Sequence, residues 1–481
     1  MQRTFFINLF LLVFINLLVK PFWILGVNVG VQNAVGPESY GVFFALLNFS
    51  YLFQLLLDLG MQSYNYREVA RNPKSYQSNF AHLALLKAAF SLLFILVVYV
   101  GGKFFMHYND SYLELLVWIG VSLILNSYLL FLRSNLGGLQ LYKWDSLASV
   151  LDKILMILFV GALLWGGITE RPFEIIWFAW AQVAAFAITC VFLFLVLLAH
   201  SGMPRFCFEK KLLWSLLKKG SPYALLTLLM TAYNRLDGVM LEKLLTDGAL
   251  QAGIYAQAFK FFEASNMMAF LVAGLLLPLF SKMLSKKEDV LPILFWANRF
   301  LLVPAVVLSF MVAAYSEHIT LFLFEEQTES TTQVLALLML SFIPVSVGYI
   351  YGTLLTANGN LRFLNSIALL GLVLNISLNV ALIPTLKAEG AAWATLCTQW
   401  LVVLGQFVYA KIKFKITLQI NLVIRISLWL ILVLLMAAFS TLSALPWVFA
   451  IVLFFLVGII LSLALGLFSL KDFKAALVLK D

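Results

Sequence analysis

Eight cations stand inside long apolar runs of this sequence: Lys20, Lys87, Arg133, Lys153, Arg235, Lys260, Arg299 and Arg425. A charge at mid-bilayer costs about 2.5–3.5 kcal/mol even on the most lenient insertion scale. Each of these side chains must therefore face protein, reach water or an interface, or hold an anion. Two of them stand near acids in ways that leave alternatives open. Lys260 and Glu263 are three apart on one helix face, either a self-neutralising pair or a site for a coupling ion, proton or sodium. Arg133 near the end of one run and Asp152 two turns into the next suggest a structural pair, with Arg133 as a cavity cation in reserve. Lys87 and Arg299 lie about two turns from a helix end, where snorkelling suffices, and Arg425 sits at the start of its run. Asp58 closes the second run, a cap or gate position; Asp237 stands two residues from Arg235 as a local partner or gate.

Catalytic patterns are missing. No P-loop, G-x-S-x-G or H-E-x-x-H occurs, and three cysteines and four scattered histidines fit no metal-ligand or disulfide spacing. Without a Walker A motif the chain does not hydrolyse ATP, so transport would draw on an ion gradient, the membrane potential or substrate flux. No cofactor or metal is implied.

The elements that carry these charges are membrane helices. Of 481 residues 63% are hydrophobic and only 11% charged, far from the balance of a soluble domain. Apolar stretches of spanning length predict fourteen helices, near 5–28, 40–60, 80–102, 112–136, 146–166, 173–199, 215–241, 251–281, 290–315, 332–356, 362–384, 390–410, 419–440 and 446–469. Arg3 followed by the apolar run from Phe5 resembles a secretory signal, but Lys20-Pro21-Phe22-Trp23 offers no cleavage site. The first run is therefore expected to stay as a membrane helix. With both termini in the cytoplasm, twenty loop Lys and Arg fall inside and four (Lys103, Arg171, Lys243, Lys387) outside. The net charge of +9 follows from this bias rather than from nucleic-acid binding.

The linker Gly36-Pro-Glu-Ser-Tyr-Gly41-Val-Phe43 returns as Gly248-Ala-Leu-Gln-Ala-Gly253-Ile-Tyr255 at an offset of 212. An even six helices per repeat gives both copies one orientation, with the pseudo-two-fold along the membrane normal. The same offset places Arg235 at position 23, three residues from Lys20, so each repeat opens with a cation on a similar helix face. Facing one another across a cavity, Lys20 and Arg235 would attract a pyrophosphate or an acidic sugar; the alternatives are snorkelling for Lys20 and an acidic neighbour for Arg235.

Three segments carry a family resemblance. Val35–Arg71 holds Gly-Pro-Glu-x-Tyr-Gly, then Leu57-Asp58-Leu59-Gly60, then Arg67-Glu68-Val69-Ala70-Arg71. The others are Asn234-Arg235-Leu236-Asp237-Gly238-Val239-Met240-Leu241 and Leu136-Gly-Gly-Leu-Gln-Leu-Tyr-Lys143. The chain resembles the Wzx-type O-antigen and polysaccharide flippases of the multidrug/oligosaccharidyl-lipid/polysaccharide (MOP) exporter superfamily. The resemblance implies an all-α polytopic membrane protein with two six-helix lobes, 1–205 and 206–416, and two additional helices in 417–481. It implies export of an undecaprenyl-pyrophosphate-type oligosaccharide across the bacterial inner membrane by alternating access, among membrane lipids and beside polysaccharide polymerase machinery. An ion-coupled multidrug or metabolite antiporter is the alternative within the superfamily. An integral-membrane glycosyltransferase or polymerase is the alternative outside it, disfavoured because its catalytic acids usually need a large external loop.

Overall fold

The computed structural model describes residues 19, 22–72, 75–168, 170–203, 210–417, 420–440 and 446–467, excluding the side chains of 75, 78, 79, 210–222 and 440. Among them there is no strand. A π-helical turn, Phe22–Asn28, leads into α1 (Val29–Leu52), followed by α2 (Met61–Arg71), α3 (Ser75–Val100), α4 (Asp110–Gly138), α5 (Tyr142–Trp165), α6 (Ile175–Ser201) and α7 (Lys210–Leu244). Then come α8 (Gly248–Ser285), α9 (Leu291–Ala314), the short α10 (Ser316–Leu323), α11 (Glu329–Ala357), α12 (Leu361–Lys413), α13 (Ile420–Ser440) and α14 (Trp447–Ala464). An all-helical answer is the one a bilayer allows a chain without a closed barrel, since each helix satisfies its own backbone.

Ten described helices are long and apolar enough to cross a membrane, or eleven with the bent pair Phe22–Leu52 and Gln54–Arg71. The difference from fourteen has physical sources. The helix across Val29–Leu52 breaks at Gly36, with φ 75°, and the 53-residue α12 breaks at Lys387, with φ 51°. Both breaks fall in expected linkers. Helix α7 is diluted by Lys210, Lys211, Lys218, Lys219, Arg235, Asp237, Glu242 and Lys243. Most of the expected first span, 5–28, lies outside the described residues.

Two compact units divide after Gly253. In the first, α4 packs on α6, α2 on α4, α5 on α6, and α1 on α7. In the second, α11 packs on both α12 and α9, and the α13–α14 hairpin lies on α9.

Within the first unit the two copies of the repeated linker cross. A Cβ added to Gly41 would overlap the carbonyl oxygen of Ala249, and one added to Gly253 would overlap the carbonyl oxygen of Pro37. Subtracting the repeat offset turns Ala249 into 37 and Gly253 into 41, so the contact maps onto itself. It is isologous, the signature of a two-fold relation, here between two segments of one chain. Gly238 of α7 continues the approach, where a Cβ would stand 2.7 Å from the Phe44 ring and 2.8 Å from the Asn48 amide.

The family-like motifs meet elsewhere too. Helix α2, read from sequence as a polar loop, turns Met61, Asn65 and Val69 inward at helical spacing. It lies on the Gly137-Gly138 step of α4, where added Cβ atoms would stand 2.6 Å from Tyr66 and 2.8 Å from Val69. Asn65 donates to the Ser134 hydroxyl (2.8 Å) across the same contact.

Gly41→Ala or Gly253→Ala should each lower stability by about 1–3 kcal/mol or more, because the opposing atoms are backbone and cannot rotate away. Gly274→Ala, with no atom within 4 Å of the new Cβ, should be neutral or gain up to about 1 kcal/mol of helix propensity. Thermal unfolding of the detergent-solubilised variants reads this; equal midpoints for all three would contradict the crossing.

Candidate functional site

The bend after α1 organises the first group of charges. The helix axis turns by 59° between Phe22–Leu52 and Gln54–Arg71, and beyond that break the backbone passes through left-handed residues at Leu59 and Gly60. A helix that ends inside the membrane leaves carbonyls without donors and a negative dipole end. Lys87 of α3 supplies the remedy. Its ammonium donates to the Leu57 carbonyl (2.6 Å) and to the Ser127 hydroxyl of α4 (2.6 Å), and Ser127 donates to the same carbonyl at 3.0 Å. Snorkelling is overturned for this residue: Lys87 is completely buried. The Asp58 carboxylate accepts from the amides of Gly60 (3.2 Å) and Gln62 (3.1 Å) at the start of α2.

Arg235 belongs to the α1–α7 contact. Its guanidinium lies 4.5 Å from the centroid of the Tyr51 ring and donates to the Asn48 side-chain oxygen at 3.4 Å. Asn48 is oriented by its own donation to the Phe44 carbonyl at 2.8 Å. The close approach at Gly238 brings these groups together. Asp237 is buried on the same helix. Lys20 lies outside the described residues, so its expected pairing across a cavity with Arg235 has no geometry here.

The other sequence candidates separate. Arg133 does not pair with Asp152; it meets Asp145 at 2.7 Å, joining α4 to the first turn of α5. The reason is reach, because Asp145 lies just past the α4–α5 turn, whereas Asp152 is two helical turns further along. Asp152 instead pairs with its neighbour Lys153 at 3.0 Å. In the second unit Lys260 and Glu263 form the i,i+3 pair at 3.0 Å, the local alternative drawn from their spacing. Arg299 donates to the carbonyls of Phe295 (3.2 Å) and Leu467 (3.2 Å), tying α9 to the end of α14. Buried Asn375 and Asn379 bond to one another along α12 at 3.2 Å. No cluster of three His, Cys, Asp or Glu suited to a metal exists among the described residues.

One charged group escaped the sequence reading. Beyond the expected end of the α7 span, Tyr108 sits between Glu242 and Lys243. Its hydroxyl reaches Glu242 at 3.5 Å, Lys243 lies 4.1 Å over its ring, and the two charges pair at 3.3 Å. Burial pushes the Glu242 carboxyl above its ordinary range, against the opposing pull of Lys243 and Tyr108. Burial, with Glu242 next, also pushes the Tyr108 phenol up. A shallow lateral groove of about 380 Å³ between α5 and α6, lined by Phe159, Leu163, Trp177, Trp180, Ala181 and Ala184, is apolar throughout.

Fold and charges define a multi-span α-helical membrane protein. A family model described as "Polysaccharide biosynthesis protein" matches residues 6–284. The chain belongs to that family. No curated protein sequence matches it. Among solved structures it is similar to "Lipid II flippase MurJ, inward closed conformation", with TM-score 0.72 and 16% identity over 97% of this chain and 100% of that one. It is also similar to an inward-facing multidrug resistance MATE family transporter of the MOP superfamily, with TM-score 0.62 and 15% identity over 82% and 94%. A third is a MOP superfamily transporter from Pyrococcus furiosus, with TM-score 0.60 and 12% identity over 85% and 95%. The fold is therefore that of the MOP superfamily.

Lys87→Met should lower stability by about 1.5–3 kcal/mol, the value of hydrogen bonds to a charged group, and should reduce the amount of folded protein in the membrane; an unchanged unfolding midpoint would show that the bend needs no donor. For Glu242 the raised carboxyl sets the sign. Its contribution to stability is complete below the unfolded carboxylate range and is lost as pH rises through the folded value. Glu242→Gln should flatten the decline in unfolding midpoint as pH rises above the ordinary carboxylate range, about pH 4, and an identical pH profile in the variant would contradict it.

Proposed function

We propose that this protein moves a lipid-linked oligosaccharide, of the undecaprenyl-pyrophosphate type, from the cytoplasmic to the outer leaflet of a bacterial inner membrane. The glycan would be destined for O-antigen, capsule or another surface polysaccharide, as in the Wzx-type flippases. Membership of the polysaccharide biosynthesis family carries this reading. A second observation favours it over drug export. The likeness to the lipid II flippase covers 97% of the chain, against 82% for the inward-facing multidrug transporter. Transport by alternating access needs a contact that is tight in one state and open in the other. The glycine crossing of Pro37–Gly41 with Ala249–Gly253 has the required tightness on one side, since it holds backbone against backbone without interlocking side chains. In this reading both termini lie in the cytoplasm, and the twenty loop cations would face that side.

The test is genetic. Deleting the gene should make an oligosaccharide-bearing isoprenyl pyrophosphate accumulate in membrane extracts, and mass spectrometry of that lipid would name the glycan. Restoring the wild-type gene should clear it. Unchanged lipid-linked sugars with altered resistance to cationic drugs would favour the antiporter and overturn this reading.

A further inference from the structure

Asp152 and Lys153 occupy the eleventh and twelfth positions of the 24-residue α5. That is about 15 Å along the helix at 1.5 Å per residue, the middle of a span. Two charges at that depth are costly and are retained for a reason. The ion pair itself links no two helices, because it joins two consecutive residues of one helix. Arg133–Asp145 shows the contrast, as it links α4 to α5.

The surroundings of the ammonium show what it is arranged to meet. Lys153 lies 5.8 Å from the Trp23 ring centroid and 5.3 Å from that of Phe186. Trp23 comes from the π-helical turn Phe22–Asn28, a local geometry that often marks functional sites. Its ring is fixed by stacking on Phe178 (5.9 Å, 11°), which in turn meets Phe43 edge-on at 5.2 Å. The ammonium has three donors. One meets Asp152 at 3.0 Å, and among the described residues the other acceptor bonded is the weak Met156 sulfur at 3.9 Å. The lysine side chain is 24% exposed and the aspartate 9%. The cation is thus the open partner and the carboxylate the buried one.

We propose that Lys153 is an anion-binding residue for the pyrophosphate of an isoprenyl pyrophosphate, with Asp152 its resident counter-ion until that group arrives. Asp152 keeps the site neutral when empty. The incoming anion takes the free donors of Lys153 beside the Trp23 and Phe186 rings. The identity of the anion rests on the transport reading above; the position of the site rests on this geometry.

Binding of farnesyl pyrophosphate to the purified full-length protein in detergent, measured by calorimetric titration with farnesol as the uncharged control, tests this. Lys153→Ala should weaken binding at least tenfold, and Asp152→Asn should bind as tightly as wild type or more tightly. A merely structural pair predicts equal losses from both changes. The neutral double variant D152N/K153Q should fold with a wild-type unfolding midpoint and bind weakly. The proposal is overturned if Lys153→Ala keeps wild-type affinity, if Asp152→Asn weakens binding as much as Lys153→Ala, if wild type prefers farnesol, or if the double variant does not fold. Should the gene deletion accumulate the lipid-linked sugar while Lys153→Ala binds normally, this inference alone falls. Should Lys153-dependent binding persist without such accumulation, the transport reading falls and the site stands.

Discussion

Backbone-to-backbone contact at Gly41 and Gly253 is the constraint on which the first unit depends. In a bilayer no hydrophobic force draws helices together, because lipid tails are as apolar as leucine. Close van der Waals approach and interhelical hydrogen bonds must do it. The crossing of Pro37–Gly41 with Ala249–Gly253 leaves no room for a side chain on either strand of the contact. Gly238 extends the same approach and so sets Asn48 and Tyr51 where they receive Arg235. A second glycine step, Gly137-Gly138, seats α2 and hence the bend that Lys87 caps. The family-like motifs are therefore packing motifs, in which glycine marks where another helix lies against the backbone.

The buried charges divide by what they hold. Lys87 and Arg299 end on main-chain carbonyls, which a helix end or bend leaves without donors. Arg133 bridges two helices through Asp145. Lys260 with Glu263 and Lys153 with Asp152 pair along their own helices. Charges of the first two kinds are part of the architecture. The ion pairs of the third kind do not bridge two helices, which is the physical reason to look to them for function.

Much of this was legible in the sequence. Apolar run lengths gave the helices, and Gly36 and Lys387 fall in linkers that composition had marked. The offset of 212 was visible as a repeated linker, and the structure turns it into a physical contact. What escaped reading depends on direction rather than composition. Helix α2 looked like a loop because its polar face outweighs Met61, Asn65 and Val69. Lys87 looked able to snorkel because depth alone does not reveal a bend in a neighbouring helix. The partner of Arg133 turned on reach across a turn, and the Tyr108 site needed two segments 134 residues apart.

In the proposed function, a chain built around a tight glycine crossing carries a lipid-linked glycan through the membrane. The direct measurement is reconstitution of the purified protein into proteoliposomes loaded in one leaflet with a lipid-linked oligosaccharide from the same organism. A glycan-cleaving enzyme outside the vesicles then reports how much substrate has crossed. The account predicts time-dependent cleavage with wild-type protein and little above protein-free vesicles with Gly41→Ala. Protein-free rates with folded wild-type protein would contradict it.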